Sequence, residues 1–306
     1  MTVLEQLALG ARICVIRLRS LGDCVLTTPA LKLLNQWRPD LKIGVSVEPA
    51  FAPVFQGNPL VSDILPPAWK AVRHWKPELC VNLHGGTRSQ WMTALSGAKW
   101  RAGFAHHSMT FAYNLKIGRA QQILGVNRTV HTAEHMASAF FALGVPTQDV
   151  PRAVLCIPEE APPPTVRYAV LHPYASSSEK RWPAERFCEV ARYLALWNIH
   201  PVFLAAPGDD TAPFAAHEIF QGSLEKVKLL LSKASLFVGN DSGPAHMAAA
   251  FGVPSVVLFG PSNPAIWGPW QTESEVVVAP DGLSQVSVSR VIAALERLRT
   301  LEEAHA

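Results

Sequence analysis

Four short stretches carry residue types suited to group transfer. In RLRSLGDCVLTTPAL (17–31) an apolar strand runs into a small-residue turn holding Gly22 and Asp23, and a helix follows. A carboxylate there can take the proton of an attacking sugar hydroxyl, which is general-base work. The same Asp23 can instead cap the helix. In LHPYASSSEKRWPAERF (171–187) a second strand ends in a polar loop before a helix. Ser176, Ser177 and Ser178 offer hydroxyl and backbone donors, and Lys180 and Arg181 offer charge. Such a set near a helix N-terminus suits a diphosphate, although ordinary surface loops share the composition. In VGNDSGPAHMAAAFGVPSVVLFGPSNP (238–264) strand, tight turn and helix follow in ten residues. Asp241, Ser242 and Gly243 start that helix and His246 lies in its first turn. Gly243 lets a ligand approach the backbone, and the density of small and polar residues favours binding over a plain Asp/Ser cap. In LAAPGDD (204–210), Asp209 and Asp210 close a strand, either to accept ribose hydroxyls or as turn chemistry. None of these stretches is a GxGxxG dinucleotide fingerprint.

The elements that position these residues are short apolar strands alternating with helical stretches, an α/β pattern with parallel sheets. Strands are expected at 13–18, 42–47 and 79–83, and helices at 28–37, 88–96 and 131–143, with Pro29 suited to a first turn. PEEAPPPT (158–165) neither continues a helix nor fits a central strand, and reads as a linker. The pattern restarts with strands at 168–173, 201–206, 236–240 and 255–260. Helices are expected near 183–197, 224–233, 244–251 and 286–301. The economical architecture is two Rossmann-like halves facing across a cleft: residues 1–157, the linker 158–165, and residues 166–306. Parallel α/β sheets hold ligands beyond the carboxyl ends of their strands, where the polar stretches fall.

Composition narrows the function classes. The 306 residues are 49% apolar and 17% charged, which excludes a disordered chain. The net charge of +3 is too small to suggest nucleic acid. It hides an asymmetry, because residues 1–157 hold 16 Lys+Arg against 8 Asp+Glu and the remainder 11 against 16. A basic first half suggests an anionic partner, with ordinary surface variation as the alternative. Five cysteines without a CxxC pair argue against a disulfide framework and a zinc knuckle, and fit a reducing compartment. No secretory signal and no apolar run of membrane-spanning length is expected.

Together the stretches SLGDCVLTTPAL, HPYASSSEKRWPAERF and VGNDSGPAHMAAAFGVPSVVLFGPSNP resemble glycosyltransferase family 9, the ADP-heptose:lipopolysaccharide heptosyltransferases. NLHGGTRS (82–89) and HTAEHMASAFFALGVP (131–146) also look like that family's first domain. The resemblance implies a GT-B fold, with the acceptor on the first domain and the donor on the second. It implies inverting transfer of heptose from ADP-heptose to the lipopolysaccharide inner core, without an obligate metal. On it Asp23 is the catalytic base and Lys180 the phosphate-binding lysine. Ser176 and Ser177 stand in the donor loop. Asp241, Ser242, Gly243 and His246 form the donor turn, and Gly222 passes the nucleobase. Asp209 falls where the family commonly has glutamate. Arg17, Arg19, Arg88 and Arg101 are expected to face the anionic glycolipid acceptor of lipid A–Kdo type, and Lys70, Arg73 and Lys76 the headgroups of the inner membrane. A cytoplasmic enzyme in peripheral contact with that membrane follows.

Two other readings are available. His131, Glu134 and His135 spell H-x-x-E-H, a metal-hydrolase pattern that five residues also produce by chance. A GT-B sugar-nucleotide enzyme of other specificity, or a binder without turnover, would share the donor turn.

Overall fold

Two apolar runs without polar alternation, 13–16 and 236–240, become the inner strands of two parallel sheets. Ile13, Cys14, Val15 and Ile16 are wholly buried, as are Phe237 and Val238. Strands covered on both faces read this way. The structure is a computed structural model that describes residues 1–157 and 165–305. Residues 158–164 of the expected linker lie outside the described residues. The chain divides into two units, Met1–Pro158 and Glu159–Ala306.

The first unit contains β1 (Arg12–Ile16), β2 (Lys42–Ser46), β3 (Asp63–Leu65), β4 (Leu79–Asn82), β5 (Trp100–Phe104) and β6 (Leu115–Ile117). Their order is β3-β2-β1-β4-β5-β6 and every pairing is parallel. Its helices are α1 (Val3–Gln6), α2 (Leu21–Trp37), α3 (Trp69–Trp75), α4 (Thr87–Ala94), α5 (Ala120–Leu124) and α6 (Thr132–Leu143). Helix α2 packs on α6. Val72, Trp75 and Met92 from α3 and α4 cover Cys14, Ile16 and Cys80 of the sheet.

The second unit contains β7 (Tyr168–His172), β8 (His200–Ala205), β9 (Glu218–Gln221), β10 (Leu236–Asn240), β11 (Ser255–Phe259) and β12 (Ser274–Val278). Their order is β12-β11-β10-β7-β8-β9, again all parallel. Its helices are α7 (Ala184–Leu196), α8 (Leu224–Lys233), α9 (Gly243–Ala250), α10 (Pro264–Trp267) and α11 (Val288–His305). Trp182, Phe187, Phe203 and Leu295 lie in one core that spans the sheet, α7 and α11. Among the described residues no helix is long and apolar enough to cross a membrane.

Each sheet therefore has the doubly wound order, in which strand order reverses once: between β1 and β4, and between β7 and β10. Those reversals open the crevices where such sheets take ligands. The two units are Rossmann-like domains of a GT-B fold.

One expectation is corrected. The turn around Gly22 and Asp23 is the first turn of α2, which begins at Leu21 and carries Pro29 inside it. Pro29 has no N–H for the Val25 carbonyl. The Thr28 hydroxyl donates to that carbonyl at 2.8 Å instead, so the helix passes through the proline. The short strands β3, β5, β6, β9 and β12 were not anticipated from the sequence.

Candidate active-site residues at the strand ends

Asp23 is the third residue of α2, just beyond β1. Its Oδ2 accepts from the Ser20 backbone N–H at 3.2 Å and from the Ser20 hydroxyl at 3.1 Å. Its Oδ1 is ion-paired with Arg17. Arg17 is 5% exposed and also donates to the Leu83 carbonyl, just after β4, at 2.5 Å. The pair thus bridges the β1/β4 reversal. Capping and an accessible carboxylate are compatible, because the Asp23 side chain keeps 16% of its surface open. Burial pushes the neighbouring Cys24 thiol up to about 12, so it stays protonated.

Along the same edge, past β4 and β5, stands a group of imidazoles. Asn82 donates to the Tyr113 hydroxyl at 3.1 Å, which lies 2.9 Å from His107 Nδ1. The Asn82 side-chain carbonyl accepts from the N–H groups of His84 and Gly85. Burial first, then the charges of His106, His135, His84 and Arg17, bring His107 down to about 4. Burial, His106 and Arg17 bring His135 to about 4. Both rings are neutral at physiological pH. A cavity of about 570 Å³ opens beside them, lined by His106, Arg119, Gln121, Gln122, Asn127 and His135 among others. Nothing in the sequence pattern pointed to this cavity.

The four expected acceptor arginines fare differently. Arg19 lies in the exposed loop after β1. Arg88 is exposed at the start of α4 and bonds Glu48 at 2.5 Å. Arg17 is corrected, since its guanidinium holds Asp23 and Leu83. Arg101 is corrected too: it is the second residue of β5, at the opposite end of the sheet, and donates to the carbonyls of Ala112 and Ala98. The H-x-x-E-H reading is also overturned. His131 Nδ1 accepts from Ala133 N–H as the cap of α6, Glu134 pairs with Arg128, and His135 stacks on Phe104 at 4.0 Å. Among the described residues no three His, Cys, Asp or Glu side chains gather as metal ligands.

In the second unit the donor candidates cluster at the β7/β10 reversal. Lys180, at the end of the loop after β7, sits with Nζ 2.9 Å from Asp241 Oδ2 beyond β10. Ser242, the N-cap of α9, has Oγ 3.0 Å from His172 Nδ1 at the end of β7. Burial brings His172 down to about 4. Asn240 ties the two strand ends together, accepting from Trp182 N–H at 3.1 Å and donating to the Pro173 carbonyl at 2.8 Å. Arg181 folds the serine loop by donating to the Ala175 carbonyl, and leaves Ser176 and Ser177 exposed. Gly260 after β11 lets this loop come close, since a Cβ there would stand 3.0 Å from the Glu179 carbonyl oxygen.

Gly243 begins α9 and its N–H has no partner within the helix; Pro244 after it has no N–H, and Ala245 N–H donates to the Ser242 carbonyl at 3.2 Å. His246 is buried in its first turn. Gly222 follows β9 on the same sheet edge. Asp209 follows β8, and its Oδ2 accepts from Ala206 N–H at 2.7 Å, so in this structure it closes its own turn.

The family profile described as glycosyltransferase family 9 (heptosyltransferase) matches residues 68–290. Lipopolysaccharide heptosyltransferase 3 of Escherichia coli is 26% identical over 293 residues, covering 81% of this chain and 83% of that protein. Lipopolysaccharide heptosyltransferase 1 of Escherichia coli O18:K1:H7 (strain RS218 / NMEC) is 26% identical over 317 residues, covering 92% and 95%. The crystal structure of a family 9 glycosyl transferase from Veillonella parvula DSM 2008 superposes with a TM-score of 0.83 at 24% identity, covering 94% of this chain and 97% of that one. E. coli heptosyltransferase WaaC with ADP-2-deoxy-2-fluoro heptose gives 0.78 at 23% identity, covering 94% and 99%.

Proposed function

This chain belongs to glycosyltransferase family 9, and from that membership we propose that it moves a heptose from ADP-heptose onto an anionic inner-core acceptor of lipopolysaccharide. It is a glycosyltransferase, and its relatives are lipopolysaccharide heptosyltransferases. In the proposed reaction Asp23 takes the proton of the acceptor hydroxyl. The acceptor oxygen forms a bond to the anomeric carbon while the bond from that carbon to the β-phosphate oxygen breaks. ADP leaves with the electron pair from the opposite face, so configuration inverts, and no metal is required.

Arg17 is a positioning residue for Asp23, acting from inside the β1/β4 reversal. Charge grows on the β-phosphate as the bond breaks. Lys180 leaves Asp241 to meet that charge, and the N-terminus of α9 at Ser242 and Gly243 adds its N–H groups. Interactions that strengthen toward the transition state are the ones that raise the rate. Asp241, freed from Lys180, accepts donor hydroxyls. Ser176, Ser177, Asp209, Gly222 and His246 complete the donor contacts.

The acceptor reading draws support from the cavity beside His106 and His135, which presents Arg119 and three side-chain amides and no carboxylate. Such a lining suits a sugar that carries a carboxylate. Arg19 and Arg88 would meet further anionic groups at the same edge. The acceptor is membrane-embedded, so the enzyme works in peripheral contact with the cytoplasmic face of the inner membrane.

One observation carries the reading: Asp23 follows one sheet's reversal and the Lys180–Asp241 pair follows the other's. The test is mass-spectrometric detection of transfer onto lipid A–Kdo from a panel of ADP- and other nucleotide sugars. Gain of one heptose from ADP-heptose is the expected result. No product from any donor, or product only from a different nucleotide sugar, would overturn the proposal.

A further inference from the structure

Helices α3 and α4 bury Val72, Trp75 and Met92 and turn a second set of side chains outward. Trp69 is 39% exposed, Trp91 48%, Leu95 37% and Phe111 66%. Trp91 and Phe111 meet edge to face with ring centroids 5.8 Å apart. Arg88, Trp91 and Leu95 are spaced i, i+3 and i+7, one outer stripe of α4 and its C-cap. The two helices are joined side by side. Arg88 donates to the Pro67 carbonyl just before α3, and a Cβ on Gly97, just after α4, would stand 3.7 Å from Arg73 Cγ. The exposed aromatic residues therefore lie on neighbouring helices.

The cations of this face outnumber its carboxylates. Lys70 Nζ lies 5.7 Å from the Trp69 ring centroid, Lys99 Nζ lies 5.1 Å from that of Trp100, and Arg73 stands between the helices. Residues 79–133 hold six Lys and Arg and no Asp or Glu. Of the nearby carboxylates, Glu48 pairs with Arg88 and Asp63 accepts from the Trp75 indole N–H, while Glu78 adds one negative charge beside Trp100, whose N–H its carbonyl accepts. Large exposed apolar side chains gathered in one place mark a contact surface. A second copy docked face to face would set this cationic patch against its own copy, which like charge opposes. An anionic bilayer satisfies both features. Its headgroups take the cations, and indole and phenyl rings enter its interface.

We infer that the outer face of α3 and α4, with Phe111, docks on an anionic lipid bilayer. The inference rests on the reading of the acceptor as a membrane glycolipid and names the surface that reaches it. The aromatic pair supplies a salt-independent part of the binding and the cations a salt-dependent part.

The test is co-sedimentation of the full chain with vesicles of phosphatidylcholine alone, and of phosphatidylcholine with about a third phosphatidylglycerol, at about 0.1 M and about 0.5 M NaCl. The wild type is expected to pellet with the anionic vesicles. Trp91→Ser with Phe111→Ser should weaken partitioning about tenfold at both salt concentrations. Lys70→Ala with Arg73→Ala should weaken it about fivefold per charge at low salt and little at high salt. Phe111→Ser alone, at a position so exposed, keeps the fold and should reproduce part of the loss. A wild type that stays in the supernatant, or a doubly serine-substituted protein that pellets like the wild type, would overturn the inference. So would a concentration-dependent dimer abolished by the same pair, which would assign the face to a second copy. Failure of the heptosyl-transfer reading is seen separately, because vesicle binding is measured with no nucleotide sugar and transfer is measured on detergent-dispersed lipid A–Kdo with no vesicle present.

Discussion

Lys180 and Asp241 are joined across the β7/β10 reversal, Nζ to Oδ2, at 2.9 Å. The lysine side chain is 29% exposed and the aspartate 9%, so the ammonium faces outward while its partner anchors it from beneath. An ammonium this open can turn from Asp241 to an incoming diphosphate. Lys180→Ala is expected to raise the donor KM or the ADP Kd about 10- to 100-fold, the range for one charge-assisted hydrogen bond. Isothermal titration with ADP reads it directly, and an unchanged Kd would remove Lys180 from the donor site.

Gly260 tests the same loop from below. A methyl group there would press on the Glu179 carbonyl and shift the turn that carries Lys180. Gly260→Ala should weaken ADP binding severalfold while the secondary structure is kept. Wild-type ADP affinity would show that the loop gives way without moving Lys180.

Arg17 and Asp23 form a buried pair whose members should not be removable independently. Taking out one partner leaves a charge without compensation, at a cost of about 3–5 kcal/mol for fully buried pairs and less here, where Asp23 is partly open. Arg17→Met and Asp23→Asn are each expected to lower the denaturation midpoint, and the double variant should lose less than the sum of the two. A double-mutant cycle in urea measures the coupling. Strict additivity would mean that the pair contributes nothing as a pair.

His107, His135 and His172 are each held near 4, against an ordinary value of about 6.5. The unfolded chain therefore takes up protons that the folded chain refuses. Stability from these groups is complete above about pH 6.5 and is lost as pH falls toward 4. The urea midpoint should drop across that window, and His135→Gln should flatten the drop. An equally steep decline in the variant would place its origin elsewhere.

How much was legible in the sequence depended on whether the decisive contact was local. The placement of Asp23 and of the Asp241–His246 turn just beyond a strand was readable because strand, turn and helix sit within a few residues of each other. The role of Arg17 was not, since it depends on where β1 ends and on the Leu83 carbonyl 66 residues away. Arg101 was misassigned because β5 itself was missed. Its sequence, WRAGF, carries a charge and a glycine in place of an apolar run, and an unseen strand cannot say which end a side chain occupies. The start of α2 was misplaced by giving Pro29 its usual first-turn position, when the Thr28 hydroxyl answers the carbonyl that the proline leaves without a donor. The imidazole group and its cavity draw on segments after β4, β5 and β6 and on α6, which only the folded sheet brings together. The aromatic stripe on α3 and α4 went unread because Trp91, Leu95 and Phe111 are scattered among polar residues.

The measurement that bears most directly on glycosyl transfer through Asp23 is turnover of Asp23→Asn with ADP affinity measured on the same preparation. General-base catalysis by Asp23 predicts kcat lowered about 10²–10⁴-fold with the ADP Kd unchanged. Near wild-type turnover, or a loss explained by weaker ADP binding, would contradict it.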